Sequence, residues 1–129
     1  MYTKTPSFSE ATCSNQILVE LRNDASTAQA SKAGNYIIQN GKLHDMPYWI
    51  KIDGTCDIWF EAGRWRISDI STHGSTHQGI QSKTDSLLPC PDTTGMKWVY
   101  YNTRNELVNA TGNDILLLPQ SGESGTRKL

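Results

Sequence analysis

The sequence has no long apolar run; the longest, such as 115–118, falls far short of the ~20 residues a membrane-spanning helix needs. Helical periodicity is nearly absent. The stretch 23–33 is rich in Ala and Ser but carries no apolar stripe, so it reads as a loop with at most one helical turn. There is no Lys/Arg block: 12 basic and 13 acidic residues are well mixed and leave a formal net charge of −1. That excludes a strong phosphate-neutralising surface and argues against nucleic acid as the main partner. The opening residues Met1-Tyr2-Thr3-Lys4-Thr5-Pro6 lead into no apolar segment of a secretory signal, and none is expected. Nucleophile elbow, P-loop and zincin motifs are missing. No C-x-x-C pair supports zinc binding or thioredoxin-like chemistry. No cofactor, metal or membrane partner is expected.

What is there fits one domain. The 129 residues can bury about two-thirds of their unfolded surface, enough for one modest core. With 36% hydrophobic and 19% charged residues, neither disorder nor a membrane class is favoured. Three cysteines, Cys13, Cys56 and Cys90, leave at least one thiol free or paired between chains. One bridge with one buried thiol suits an extracellular origin, three buried thiols a cytosolic one. The balance leans slightly to the first.

The apolar residues come in short runs bounded by turn chemistry, which is the pattern of strands. The runs are 16–22, 35–39, 47–52, 56–60, 64–68, 78–82, 97–102, 106–108 and 114–118. Between them stand Asn40-Gly41, Asp53-Gly54, Ala62-Gly63, Thr111-Gly112-Asn113 and the proline-rich Leu88-Pro89-Cys90-Pro91. Eight or nine strands at this spacing predict an all-β antiparallel meander, either a sandwich or a small barrel. The expected organisation is a lead over 1–12, one β domain over 13–118 and a mobile polar tail over 119–129.

The centre of the chain permits a sharper expectation. Ala62-Gly63 serves as a two-residue hairpin loop, placing Phe60 opposite Trp65 and Ile58 opposite Ile67. For the hairpin through Asp53-Gly54-Thr55, a single apolar face requires Ile52 opposite Cys56, Ile50 opposite Ile58 and Tyr48 opposite Phe60. The core face is then Tyr48, Ile50, Ile52, Cys56, Ile58, Phe60, Trp65 and Ile67. The other face carries Trp49, Trp59 and Arg66 in a row, among Lys51, Asp57, Glu61 and Arg64.

The runs Gly34-Asn35-Tyr36, Met46-Pro47-Tyr48-Trp49, Ile58-Trp59-Phe60, Trp65-Arg66-Ile67-Ser68, Cys90-Pro91 and Trp98 together resemble a β-rich, Trp-rich module. That module recurs in multidomain proteins of marine invertebrates, algae and protists, and the likeness extends from about Cys13 to Leu118. It implies a non-catalytic and often extracellular protein. Two features depart from its pattern: the insertion Lys42-Leu43-His44-Asp45, and the lack of a cysteine where Leu116 to Leu118 stand. If a disulfide forms, Cys13–Cys90 is the expected pair. Both occupy the module's usual cysteine positions, and Cys56 is assigned to the core.

Flat aromatic rings stack on sugars or other π surfaces, and a flanking Arg adds hydrogen bonds or a cation–π contact. The row Trp49, Trp59 and Arg66 is therefore the candidate ligand-binding site. Beside that reading stands a plainer one, in which a loop or second sheet covers this face, or Trp and Arg cover each other. His73 and His77 have a spacing that could hold a metal on a helix, but Gly74 and Ser75 place them in a loop. Cys56, Cys90 and His44 could supply a thiol and its base, yet nothing local joins them. Asn109-Ala110-Thr111 makes Asn109 a candidate glycosylation site. The expected function is a non-catalytic recognition or adhesion module that binds carbohydrate or protein through the aromatic face. The alternative is a structural subunit forming a homo-oligomer through that face, and a hydrolase with an unrecognised carboxylate pair comes last.

Overall fold

The structure, a computed structural model, describes residues 13–73, 79–83, 89–93 and 95–120. The lead over 1–12 and the tail from 121 lie outside the described residues. Nine strands stand among the described residues: β1 (Gln16–Leu21), β2 (Gly34–Ile38), β3 (Trp49–Lys51), β4 (Cys56–Glu61), β5 (Arg64–Asp69), β6 (Ile80–Ser82), β7 (Trp98–Tyr101), β8 (Leu107–Asn109) and β9 (Ile115–Gln120). Each lies within two residues of its expected position, and β9 runs two residues past the expected end of the domain. The stretch read as a loop holds a short helix, α1 (Asn23–Ala28), and a 3-10 turn over Ala30–Lys32.

All nine strands form one antiparallel sheet in the order β8-β7-β6-β5-β4-β3-β2-β1-β9, curled into a half-barrel. Paired residues in an antiparallel ladder share a face, so the register traces one inward row through seven strands. It reads Ile38, Trp49, Ile58, Ile67, Ile80, Tyr100 and Val108. A second set, Ile17, Val19, Ile115 and Leu117, closes the core from β1 and β9. The hairpin between β4 and β5 forms as expected, with Phe60 opposite Trp65 and Ile58 opposite Ile67. Ala62 and Gly63 both take positive φ, 53° and 80°, as a two-residue turn matched to the twist of its strands requires. Gly79 is needed for another reason: a Cβ there would come within 2.5 Å of the Ile67 carbonyl oxygen.

The hairpin between β3 and β4 departs from expectation by one residue. Trp49, not Ile50, stands opposite Ile58, and Ile50 stands opposite Asp57. Trp49 is fully buried, edge-on to Trp65 at 5.9 Å, and its Nε1–H donates to the Ser14 carbonyl at 2.8 Å. Ile52 is left 67% exposed in the turn. The expected register assumed a solvated outer face and therefore counted two isoleucines against one tryptophan. Ile50 is instead half-buried on that face, and Lys51 satisfies its inward ammonium on the Ser31 carbonyl at 2.7 Å. An indole buries roughly 150–250 Å², worth about 4–6 kcal/mol at ~25 cal/mol per Å². A single isoleucine gives only ~1.5–3 kcal/mol, so Trp49 sets the register.

The expected bridge joins Cys13 to Cys90 across 77 positions, and Cys56 is a buried free thiol. Both findings lead to measurements. Trp49→Ala should cost about 3–5 kcal/mol in denaturant unfolding, whereas Ile52→Ala should change little; the reverse ranking would restore the other register. Thiol titration of the denatured, unreduced protein should find one free thiol. Reduction should then lower stability by about 4–5 kcal/mol for a loop of this length in the chain-entropy model. A count of three thiols would show the bridge does not form.

Candidate functional site

Three residues were expected to share a surface, and the structure separates them. Trp59 and Arg66 do stand opposite each other on the outer face. Trp49 points inward from the other face, so the row Trp49–Trp59–Arg66 does not exist. Extending the β3–β4 register puts Tyr48 beside Trp59 instead. Nor is Trp59 an open platform, being only 4% exposed. The His73 ring stacks on its face, 4.2 Å between centroids and 20° between planes. Its Nε1–H donates to the Ser68 hydroxyl at 3.0 Å, and the Arg66 guanidinium sits 6.0 Å from its centroid, at the limit of a cation–π contact. The cover is thus partly the Trp–Arg pairing weighed above and partly a histidine arriving from the segment after β5.

His73 is held by Asp57, one of the charges expected to surround the aromatic row on the outer face. Asp57 is buried beside Trp59, and His73 Nε2 lies 2.7 Å from its Oδ1. Burial pushes the Asp57 carboxyl above its ordinary value, and the adjacent imidazole pulls back part of that rise. Since the folded-state pKa lies above the unfolded one, Asp57 favours the fold most when protonated. That contribution is fully present below the unfolded pKa and is lost as pH rises through the folded one. Position in the strand could have flagged Asp57, because it alternates with core residues next to Trp59. Its partner His73 could not be read from spacing.

The other singled-out groups are not assembled. Cys90 is consumed by the disulfide. Cys56 lies on the inner side, 3.3 Å from Asp69 Oδ1, with its thiol pushed up by burial, the opposite of an activated nucleophile. His44 contacts the Phe60 carbonyl at 2.9 Å and lies 5.8 Å from the Trp59 ring. His77 lies outside the described residues. Asn109 is exposed at the end of β8, opposite Val99.

The surface that remains open was not anticipated. Strands β8 and β9 are consecutive in the chain yet occupy opposite ends of the strand order, so the half-barrel stays open along a seam where neither has a second strand partner among the described residues. The seam is tied at both ends. At one, α1 carries Asp24 to the Tyr100 hydroxyl at 2.9 Å, while Gln29 donates to the Tyr101 carbonyl at 2.6 Å. At the other, the Cys13–Cys90 bridge is joined by a 2.8 Å bond from the Ser14 hydroxyl to Asp92 Oδ2. Between them lies a groove of about 440 Å³, within the usual range for ligand sites. Its walls are β9 on one side and the loop leading to β7 on the other, with Met96 and Trp98 facing Leu117 and Pro119. No legible motif marks this groove, because it is created by strands meeting at long range.

Comparison of the chain with protein-family models, curated proteins and solved structures finds no match.

The Asp57 site gives a test of its own. In His73→Ala, the Asp57 carboxyl should titrate at higher pH than in the wild type, as read by the NMR shift of its carboxyl carbon. Asp57→Asn should abolish its share of the pH dependence of unfolding. An unchanged or lower midpoint in His73→Ala would mean the imidazole does not stabilise the carboxylate.

Proposed function

We propose that this chain is a non-catalytic recognition domain that binds a protein segment in the seam groove between β9 and the loop leading to β7. The observation that carries this reading is the groove itself, a mainly apolar slot of about 440 Å³ beside a six-residue strand with one side unpaired. Carbohydrate is the weaker ligand, because sugar stacking needs an accessible ring face and Trp59 is covered by His73. Self-assembly through the tryptophan face loses its support for the same reason. The non-catalytic reading draws on the separation of Cys56 from His44 and on the commitment of Cys90 to a bridge. That bridge, with Asn109 exposed in its acceptor triplet, favours an oxidising, extracellular setting.

Leu118 lines the groove and is half-buried on the outward side of β9, so it can be changed without opening the core. Peptides selected on the wild-type protein from a displayed random library should bind Leu118→Glu at least about tenfold more weakly. The melting temperature should move by only a few degrees for a change of about 1 kcal/mol. Clones that bind both proteins equally would place recognition elsewhere.

A further inference from the structure

We infer that the seam takes its ligand as a single extended strand added antiparallel to β9, with a basic residue near the strand's N-terminal end against Asp92. This rests on the seam reading above and adds the form and chemistry of the partner.

Backbone parity identifies the free groups. The Arg22 N–H donates to the Asp114 carbonyl at 2.9 Å, so Arg22 and Asp114 are a bonded pair. Bonded pairs recur at every second residue of an antiparallel ladder. With the observed register, Leu116, Leu118 and Gln120 therefore spend their N–H and C=O groups on β1. Those of Ile115 and Leu117 point into the seam, with no partner among the described residues. Pro119 agrees with this parity, since its missing N–H falls on the free edge and costs the ladder nothing. An edge of this kind is a template for one more strand.

The far wall decides what can use that template. The loop contributing Pro91, Thr93 and Met96 stands across the slot, so a second folded sheet cannot approach β9 edge to edge, whereas a lone strand can enter. Residues paired with Ile115 and Leu117 would bond to β9 and also turn their side chains inward, towards Trp98, which selects apolar residues there. Among the described residues, Asp92 is the sole ionisable one lining the groove. Ser14, its partner, precedes Gln16, which pairs with Gln120, so Asp92 marks the C-terminal end of β9. An antiparallel strand begins at that end.

The test uses the amidated hexapeptide Lys-Thr-Val-Thr-Val-Thr with a C-terminal fluorophore, the disulfide-intact protein and fluorescence anisotropy. The peptide should bind saturably. N-methylation of both valines should weaken binding at least about tenfold, N-methylation of the two inner threonines no more than about twofold, and replacing Lys by Glu about tenfold. Amide exchange at Ile115 and Leu117 should slow on peptide addition. Equal losses from the two methylation patterns, or unchanged exchange at Ile115 and Leu117 in the bound state, would overturn strand addition. So would absence of binding at about 1 mM peptide. Library clones that still discriminate Leu118→Glu would then leave the seam reading standing, so the two failures are separable.

Discussion

Burial of the Trp49 indole constrains more of this molecule than any other single contact. Packed between Ile38 and Ile58 and edge-on to Trp65, it fixes the β3–β4 register. Its one polar atom reaches the carbonyl of Ser14, and a buried indole N–H needs such a partner. Ser14 lies next to the disulfide and bonds Asp92 through its hydroxyl. One side chain thus links the middle of the sheet to the segment that ties one end of the seam.

Curling follows from the same burial. A flat sheet would leave one face of the row from Ile38 to Val108 without cover, and no second layer stands among the described residues to supply it. Folding the sheet towards itself lets β1 and β9 cover β7 and β8, and α1 plugs one end with Ala25 fully buried. The outer face over β4 and β5 needs only local cover, which His73 gives to Trp59 and Asp57. Lys32 enters the covered region with its charge answered by Asp69 at 3.5 Å, as a buried ammonium requires.

The sequence displayed its strands because each is bracketed by turn chemistry, and the Ala62-Gly63 turn fixed one hairpin completely. It displayed the β3–β4 register less well. Trp-Ile-Lys-Ile followed by Asp-Gly allows two alternations, and the choice between them depends on what covers the outer face. That cover is His73, far along the chain and held through Asp57. The aromatic row was therefore a correct perception of strand alternation for Trp59 and Arg66 and an incorrect one for Trp49. The seam was illegible for a different reason: nothing local distinguishes a strand whose second neighbour is missing from one fully paired. Only Pro119, which cannot donate on one side, carried a hint that β9 has a free edge.

An apolar strand of six residues with one open edge invites aggregation, and proteins usually guard such edges with charge, brevity or cover. The two edges here are treated differently. Strand β8 is three residues long, with exposed Asn109 at its end, so brevity serves. Strand β9 is twice as long and has no charged residue, reading Ile-Leu-Leu-Leu-Pro-Gln. Its protection is steric, from the loop beyond Cys90 that walls the slot and is pinned by the disulfide and Asp92. A steric guard excludes sheet edges but leaves the backbone groups of Ile115 and Leu117 available to a narrower partner. A simple charge on β9 would have protected the edge at less structural cost, and would also have closed it to an apolar strand. The wall protects the edge without closing it, which is the physical argument for the proposed binding site over an unfinished barrel.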